Sequence, residues 1–87
     1  MAIFVVINDA ANPQLANKIA EVFPGDFLNL GGGHLLIKAD TTSQGVCERL
    51  GVVKGGPFPG TIVFSTSGYF GLHNSSTWEW LKTKSEA

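Results

Sequence analysis

The chain has 87 residues, 44% apolar and 15% charged, with a formal net charge of −1. This size allows one compact core, and the apolar share excludes disorder and leaves apolar surface for an interface. Charges of both signs are scattered, which excludes a basic stripe or an acidic tail, and a single cysteine, Cys47, excludes an intrachain disulfide or a cysteine-based metal site.

Ile3-Phe4-Val5-Val6-Ile7 is a continuous β-branched and aromatic run, the pattern of a strand shielded at the centre of a sheet. It has no cationic flank before it and no small-residue cleavage pattern after it, so it reads as a strand and not as a signal peptide. No apolar stretch approaches the roughly 18 residues needed to cross a bilayer. A reducing cytoplasmic location and no membrane partner are expected.

Asn12-Pro13 is a helix start, because asparagine caps free amides and proline is tolerated in the first turn. Leu15, Ile19 and Val22 follow at helical spacing, with Phe23 beside them, and Pro24-Gly25 ends the helix. Phe27-Leu28-Asn29-Leu30 reads as a second strand and His34 to Ala39 as a third. Gly31-Gly32-Gly33 between them makes an antiparallel hairpin. Thr41 with Gln44 has the form of a capping box, and Val46, Cys47 and Leu50 give a second helix ending at Gly51, weakened by Gly45.

Lys54 to Gly60 is a stiff glycine- and proline-rich connection, and Thr61 to Thr66 is a fourth strand. Tyr69-Phe70-Gly71-Leu72 suggests a brief fifth. Ser76 and Glu79 form another capping box, opening a terminal helix through Trp78, Trp80 and Leu81. Two tryptophans two apart cannot share a helix face, so one is expected on the sheet and the other toward a neighbour or solvent.

The order β-α-β-β-α-β predicts one α+β domain over residues 1–87. Its simplest closure is a ferredoxin-like four-stranded antiparallel sheet of order 4-1-3-2, with two helices on one face and a short C-terminal helix. A small three-layer α/β fold is the alternative, and the glycine hairpin argues against it.

In that topology the end of the first strand lies beside the starts of the third and fourth. One rim then gathers Asn8, Asp9, His34, the triple glycine and Gly60. Glycine backbone lets a ligand approach closely. Asp9 is the candidate metal ligand or general base, since a carboxylate at an apolar strand end can hold a hard cation such as magnesium. A turn residue before Pro13 is its local explanation. His34 is a weaker candidate, and it is also explained as a polar hairpin residue. His73 near Ser75 and Ser76 has no acid placed to form a triad. Gly31 to Gly33 lacks the lysine and helix start of a phosphate loop. Cys47 reads as a small apolar residue on a helix stripe.

Three stretches together carry a resemblance: Phe4-Val5-Val6-Ile7-Asn8-Asp9, the strand ending Leu36-Ile37-Lys38-Ala39-Asp40, and Gly71 through Ser75-Ser76-Thr77-Trp78-Glu79-Trp80-Leu81. They resemble a family of short bacterial proteins of uncharacterised function, itself similar to the small ferredoxin-like subunit of CRISPR adaptation and to the VapD-type ribonucleases. The resemblance implies a homodimer in which an aspartate closing the first strand binds metal, and Asp9 matches that position. The chain departs from the pattern at Asn8, where those relatives carry an aromatic residue, and in having no arginine-rich surface for RNA. Two expectations result. One is a homodimer related to metal-dependent nuclease-like subunits, with Asp9 catalytic and magnesium as its cation. The other is a non-enzymatic interaction or regulatory module. Charge gives nucleic acid no support as a partner.

Overall fold

The computed structural model describes residues 2–68, 71, 73 and 75–85. Apart from Gly71, the expected fifth strand over residues 69–72 lies outside them. The elements run β1 (Ala2–Asn8), α1 (Pro13–Val22), β2 (Phe27–Gly31), β3 (His34–Ala39), α2 (Ser43–Leu50), β4 (Thr61–Thr66) and α3 (Ser75–Ser85).

The strands form one antiparallel sheet of order β2-β3-β1-β4, which read from the other edge is the expected 4-1-3-2. The fold is α+β and fits the ferredoxin-like pattern. β1 lies inside the sheet, with Val6 opposite Leu35 on one side and Val63 on the other. Cover on both faces explains why its sequence does not alternate. Phe4 and Val6 point into the main core with Leu15, Ile19, Leu35, Ile37, Val46 and Leu50 from the other elements. Ile3 meets Leu36 and Leu81 on the opposite face, with Val5, Leu28, Leu30, Trp78 and Trp80 packed around them. α1 and α2 thus cover one face, and α3 covers part of the other. Both tryptophans join this second cluster, so the expectation that one of them turns away is corrected. Each is partly buried, and the Trp78 indole donates to the His73 carbonyl at 3.1 Å.

Local chemistry sets the element ends. The Asn12 side chain accepts from the Gln14 amide, and Pro13 opens α1. In α2 the cap is Thr42, whose hydroxyl accepts from the Gly45 amide at 3.0 Å, one residue beyond the expected Thr41. Thr41 instead lies against Gly45, where a Cβ would collide with its hydroxyl. Glycine there fits a close approach. The β2–β3 connection tightens to two residues, Gly32 and Gly33, with φ of 61° and 85°. Positive φ at both central positions is the requirement of a hairpin turn that matches sheet twist. Lys84 Nζ lies 2.9 Å from Asp26 Oδ1, tying the end of α3 to the segment before β2. No helix among the described residues is long and apolar enough to cross a membrane.

Candidate functional site

The carboxyl end of β1 lies between the hairpin and the loop that leads into β4. The Asn8 amide donates to the Gly33 carbonyl at 2.8 Å, and the Asp9 amide to the Gly60 carbonyl at 3.0 Å. The antiparallel register that places Ile7 opposite both His34 and Ile62 continues through these two bonds. Asn8, Asp9, His34 and Gly60 therefore occupy one rim, as the topology requires.

Within that rim the residues differ sharply in what they are free to do. Asn8 is 2% exposed, and its side chain is engaged on both sides. Its Oδ1 accepts from the Asn12 amide at 2.8 Å. Its Nδ2 donates to Thr61 Oγ1 at 2.8 Å, with a longer contact of 3.5 Å to the Pro59 carbonyl. Thr61 passes its own proton to the Phe58 carbonyl at 2.8 Å. One amide side chain thus joins β1, the entry to α1 and the entry to β4. The Asn8 carbonyl also accepts from the Ala11 amide at 3.1 Å, across a turn in which Ala11 has a φ of 50°. Gly33 packs so closely on this turn that a Cβ would collide with the Asn8 carbonyl oxygen.

Asp9 and His34 are exposed. A Cβ at Gly60 would lie 3.6 Å from the Asp9 carboxylate, so the aspartate stands over a glycine with φ of 74°. No ion-pair partner for Asp9 is found among the described residues. Nor do the described residues contain a cluster of three or more His, Cys, Asp or Glu able to hold a metal. A single carboxylate supplies a small part of the octahedral oxygen shell of magnesium, the rest of which the ion commonly takes from water and phosphate oxygens.

A cleft of about 320 Å³ opens between the start of α1 and the hairpin, lined by Asn8, Asn12, Asn17, Asn29 and Gly31 to Gly33 among others. Asp9, His34 and Gly60 are outside it. Several of its polar groups already bond within the protein: Asn12 with the Gln14 amide, Asn29 with the Gly31 amide, and Asn8 as above. Cys47 is partly buried on α2, less enclosed than the expected core residue. Burial, with help from the neighbouring Glu48 charge, pushes its thiol up from the ordinary value.

A second surface was not legible as a site in the sequence. Among the described residues β4 stands at one edge of the sheet, and Ile62 and Phe64 are 56% and 51% exposed. They lie opposite Ile7 and Val5, on the face that carries α3, while Val63 packs against the main core. Among the described residues α3 sits over Ile3, Leu36 and β2 and does not cover this flank, where Ile62 and Phe64 stay half exposed. The usable signal was that Thr61 to Thr66 holds no charge and no proline. The chain matches no protein-family model and no curated protein.

Proposed function

We propose that the chain is a non-enzymatic interaction module that captures an extended segment by adding it as a strand beside β4. The contrast between the two sheet edges carries this reading. β2 spans five residues, shifts register between Asn29 and Gly31, and has Leu28 and Leu30 packed into the second cluster. Short length, irregularity and cover are the usual means of blunting an edge. β4 is regular over six residues and has no charge, proline or bulge, and two large apolar side chains stand half exposed along it. An edge of this kind is a template for strand addition, with backbone bonds giving affinity and alternate side chains giving selectivity.

The test is a panel of extended peptides alternating β-branched or aromatic residues with polar ones, titrated while amide exchange is followed along β4. Binding that slows exchange at the outer edge of β4 and is lost in Phe64→Lys is the expected outcome. If no peptide in the panel binds at millimolar concentration, the reading fails.

A second reading is favoured by the exposed Asp9 over Gly60. It is a homodimeric, cytoplasmic, bacterial protein related to CRISPR-type and VapD-type nuclease-like subunits, with Asp9 as the magnesium ligand and catalytic residue, and with Asn8, His34 and Gly60 around a bound nucleic acid. One carboxylate supplies only part of the ion's shell, and in this reading water, substrate phosphates or oxygens of a second copy supply the rest. It predicts magnesium-dependent cleavage of mixed RNA and DNA that is lost in Asp9→Ala. Equal cleavage by both proteins removes Asp9 from the chemistry.

A further inference from the structure

We infer that the segment taken up by β4 is the β4 strand of a second copy, paired antiparallel about a two-fold axis through Val63. This rests on the strand-addition reading and names its partner.

The direction of the backbone groups fixes the register. The Asn8 amide bonds to Gly33, so Asn8, Val6 and Phe4 turn their backbone groups toward β3. The Asp9 amide bonds to Gly60, so Asp9, Ile7 and Val5 turn theirs toward β4. Bonded and non-bonded pairs alternate along an antiparallel ladder. Ile62 and Phe64, opposite Ile7 and Val5, therefore spend their backbone groups on β1. Thr61, Val63 and Ser65 point theirs away from β1, toward an edge where no further strand lies among the described residues.

These outward residues are symmetric about Val63. With the axis there, Val63 exchanges both bonds with Val63 of the second copy, and Thr61 does so with Ser65. Ile62 then falls opposite Phe64 of the second copy, in a non-bonded position where facing side chains approach most closely. Aromatic and β-branched residues are favourable cross-strand partners. Antiparallel pairing keeps each residue on its own face of the sheet, so both Ile62–Phe64 pairs lie on the flank that α3 leaves open. No ionisable side chain occurs from Thr61 to Thr66, and the net charge of −1 makes little repulsion between copies. One strand pair with these side chains falls at the low end of specific interfaces, below about 1,200 Å² in total, the class of weak and transient contacts.

This register also separates the two Asp9 residues. Each lies beside Gly60, three positions from the axis at about 3.3 Å per residue, so the pair stands on the order of 20 Å apart. One ion cannot join them, and a β4 dimer excludes an Asp9-sharing dimer.

The experiment combines light scattering from 1 µM to 1 mM with residue-resolved amide exchange, for the wild type and for Phe64→Lys. The expected mass rises from 9.2 kDa toward twice that value. Amides of Thr61, Val63 and Ser65 slow by about tenfold or more at the high concentration, while those of Ile62 and Phe64 do not change. Phe64→Lys stays monomeric, with an unaltered melting curve as its folding control. The register is read by oxidative crosslinking in a Cys47→Ser background. Ile62→Cys mixed with Phe64→Cys crosslinks, and neither does so by itself. Crosslinking of Phe64→Cys with itself overturns the Val63 axis. A monomer at every concentration overturns the inference, as does a dimer whose Thr61, Val63 and Ser65 amides exchange unchanged. A synthetic peptide of residues 61–66 separates the two proposals. If the protein is monomeric but this peptide protects the same amides, strand addition stands and the self-partner fails. If the peptide also fails to bind, strand addition falls with it.

Discussion

Asn8→Asp exchanges one NH2 group for an oxygen at the buried junction of β1, α1 and β4, with almost no change of shape. The bond from the Asn12 amide survives, because Oδ1 remains an acceptor. The other oxygen now faces Thr61 Oγ1 and the Pro59 carbonyl, where the amide used to donate. Thr61 can answer only by withdrawing its proton from the Phe58 carbonyl. One donor is thus lost from a chain of bonds, and an acceptor or a charge is buried where nothing else supplies a proton. Burying an unsatisfied polar group costs about 1–3 kcal/mol, and more when it is charged, so a loss of about 2–4 kcal/mol at pH 7 is expected. For a domain of this size, each 1 kcal/mol lowers Tm by roughly 4–8 °C. Burial raises the folded-state pKa of the new carboxyl above its unfolded value. Its least damaging form is therefore present below the unfolded pKa, and the penalty grows as pH rises through the folded value. Urea denaturation at pH 4 and pH 7 should show the variant closer to wild type at the lower pH. A variant within about 0.5 kcal/mol of wild type at pH 7 would refute the junction argument, that being the scatter of ordinary surface changes.

Gly33→Ala combines a positive φ with a collision against the Asn8 carbonyl, so a loss of more than about 1 kcal/mol is expected in the same denaturation assay. Leu81→Ala should cost about 2–3 kcal/mol by opening the second cluster, whereas Lys84→Ala should cost less than about 1 kcal/mol. The Lys84–Asp26 pair is partly exposed, and its effect should shrink further in 1 M salt. The raised thiol of Cys47 predicts slower alkylation at pH 7.5 than for a cysteine in an unfolded peptide. The thiol's contribution to folding is complete below the unfolded thiol pKa and is lost as pH rises through the folded one.

The strand order was legible because few topologies satisfy two crossovers and a glycine hairpin together. Helix boundaries shifted where neighbouring residues compete for one role. Thr41 and Thr42 can both cap, and the choice is made by the approach of Thr41 to Gly45. The rim was readable as a neighbourhood, since register alone brings Asn8, Asp9, His34 and Gly60 together. Which member is engaged was not. That Asn8 is sealed while Asp9 is open depends on Thr61 and Pro59, more than 50 residues away in sequence. The exposure of Ile62 and Phe64 was illegible for a related reason. Thr61-Ile62-Val63-Phe64 has the composition of a well-covered strand, and among the described residues it is the position of α3 that leaves Ile62 and Phe64 half exposed.

Both neighbours of β1 come from distant parts of the chain, β3 from the middle and β4 from beyond residue 60. During synthesis the β2–β3 hairpin can close by itself, since its strands are joined by two residues. β1 has its second side sealed only once β4, made well after it, is in place. Its apolar run is then a hazard for mispairing throughout translation, and pairings this remote slow the search for the native state. Closure of β4 onto β1 joins residues more remote in sequence than any other pairing in the described sheet and carries its largest loop-closure cost. The same event prepares the outer ladder, so the edge that we assign to recognition exists only in a finished fold.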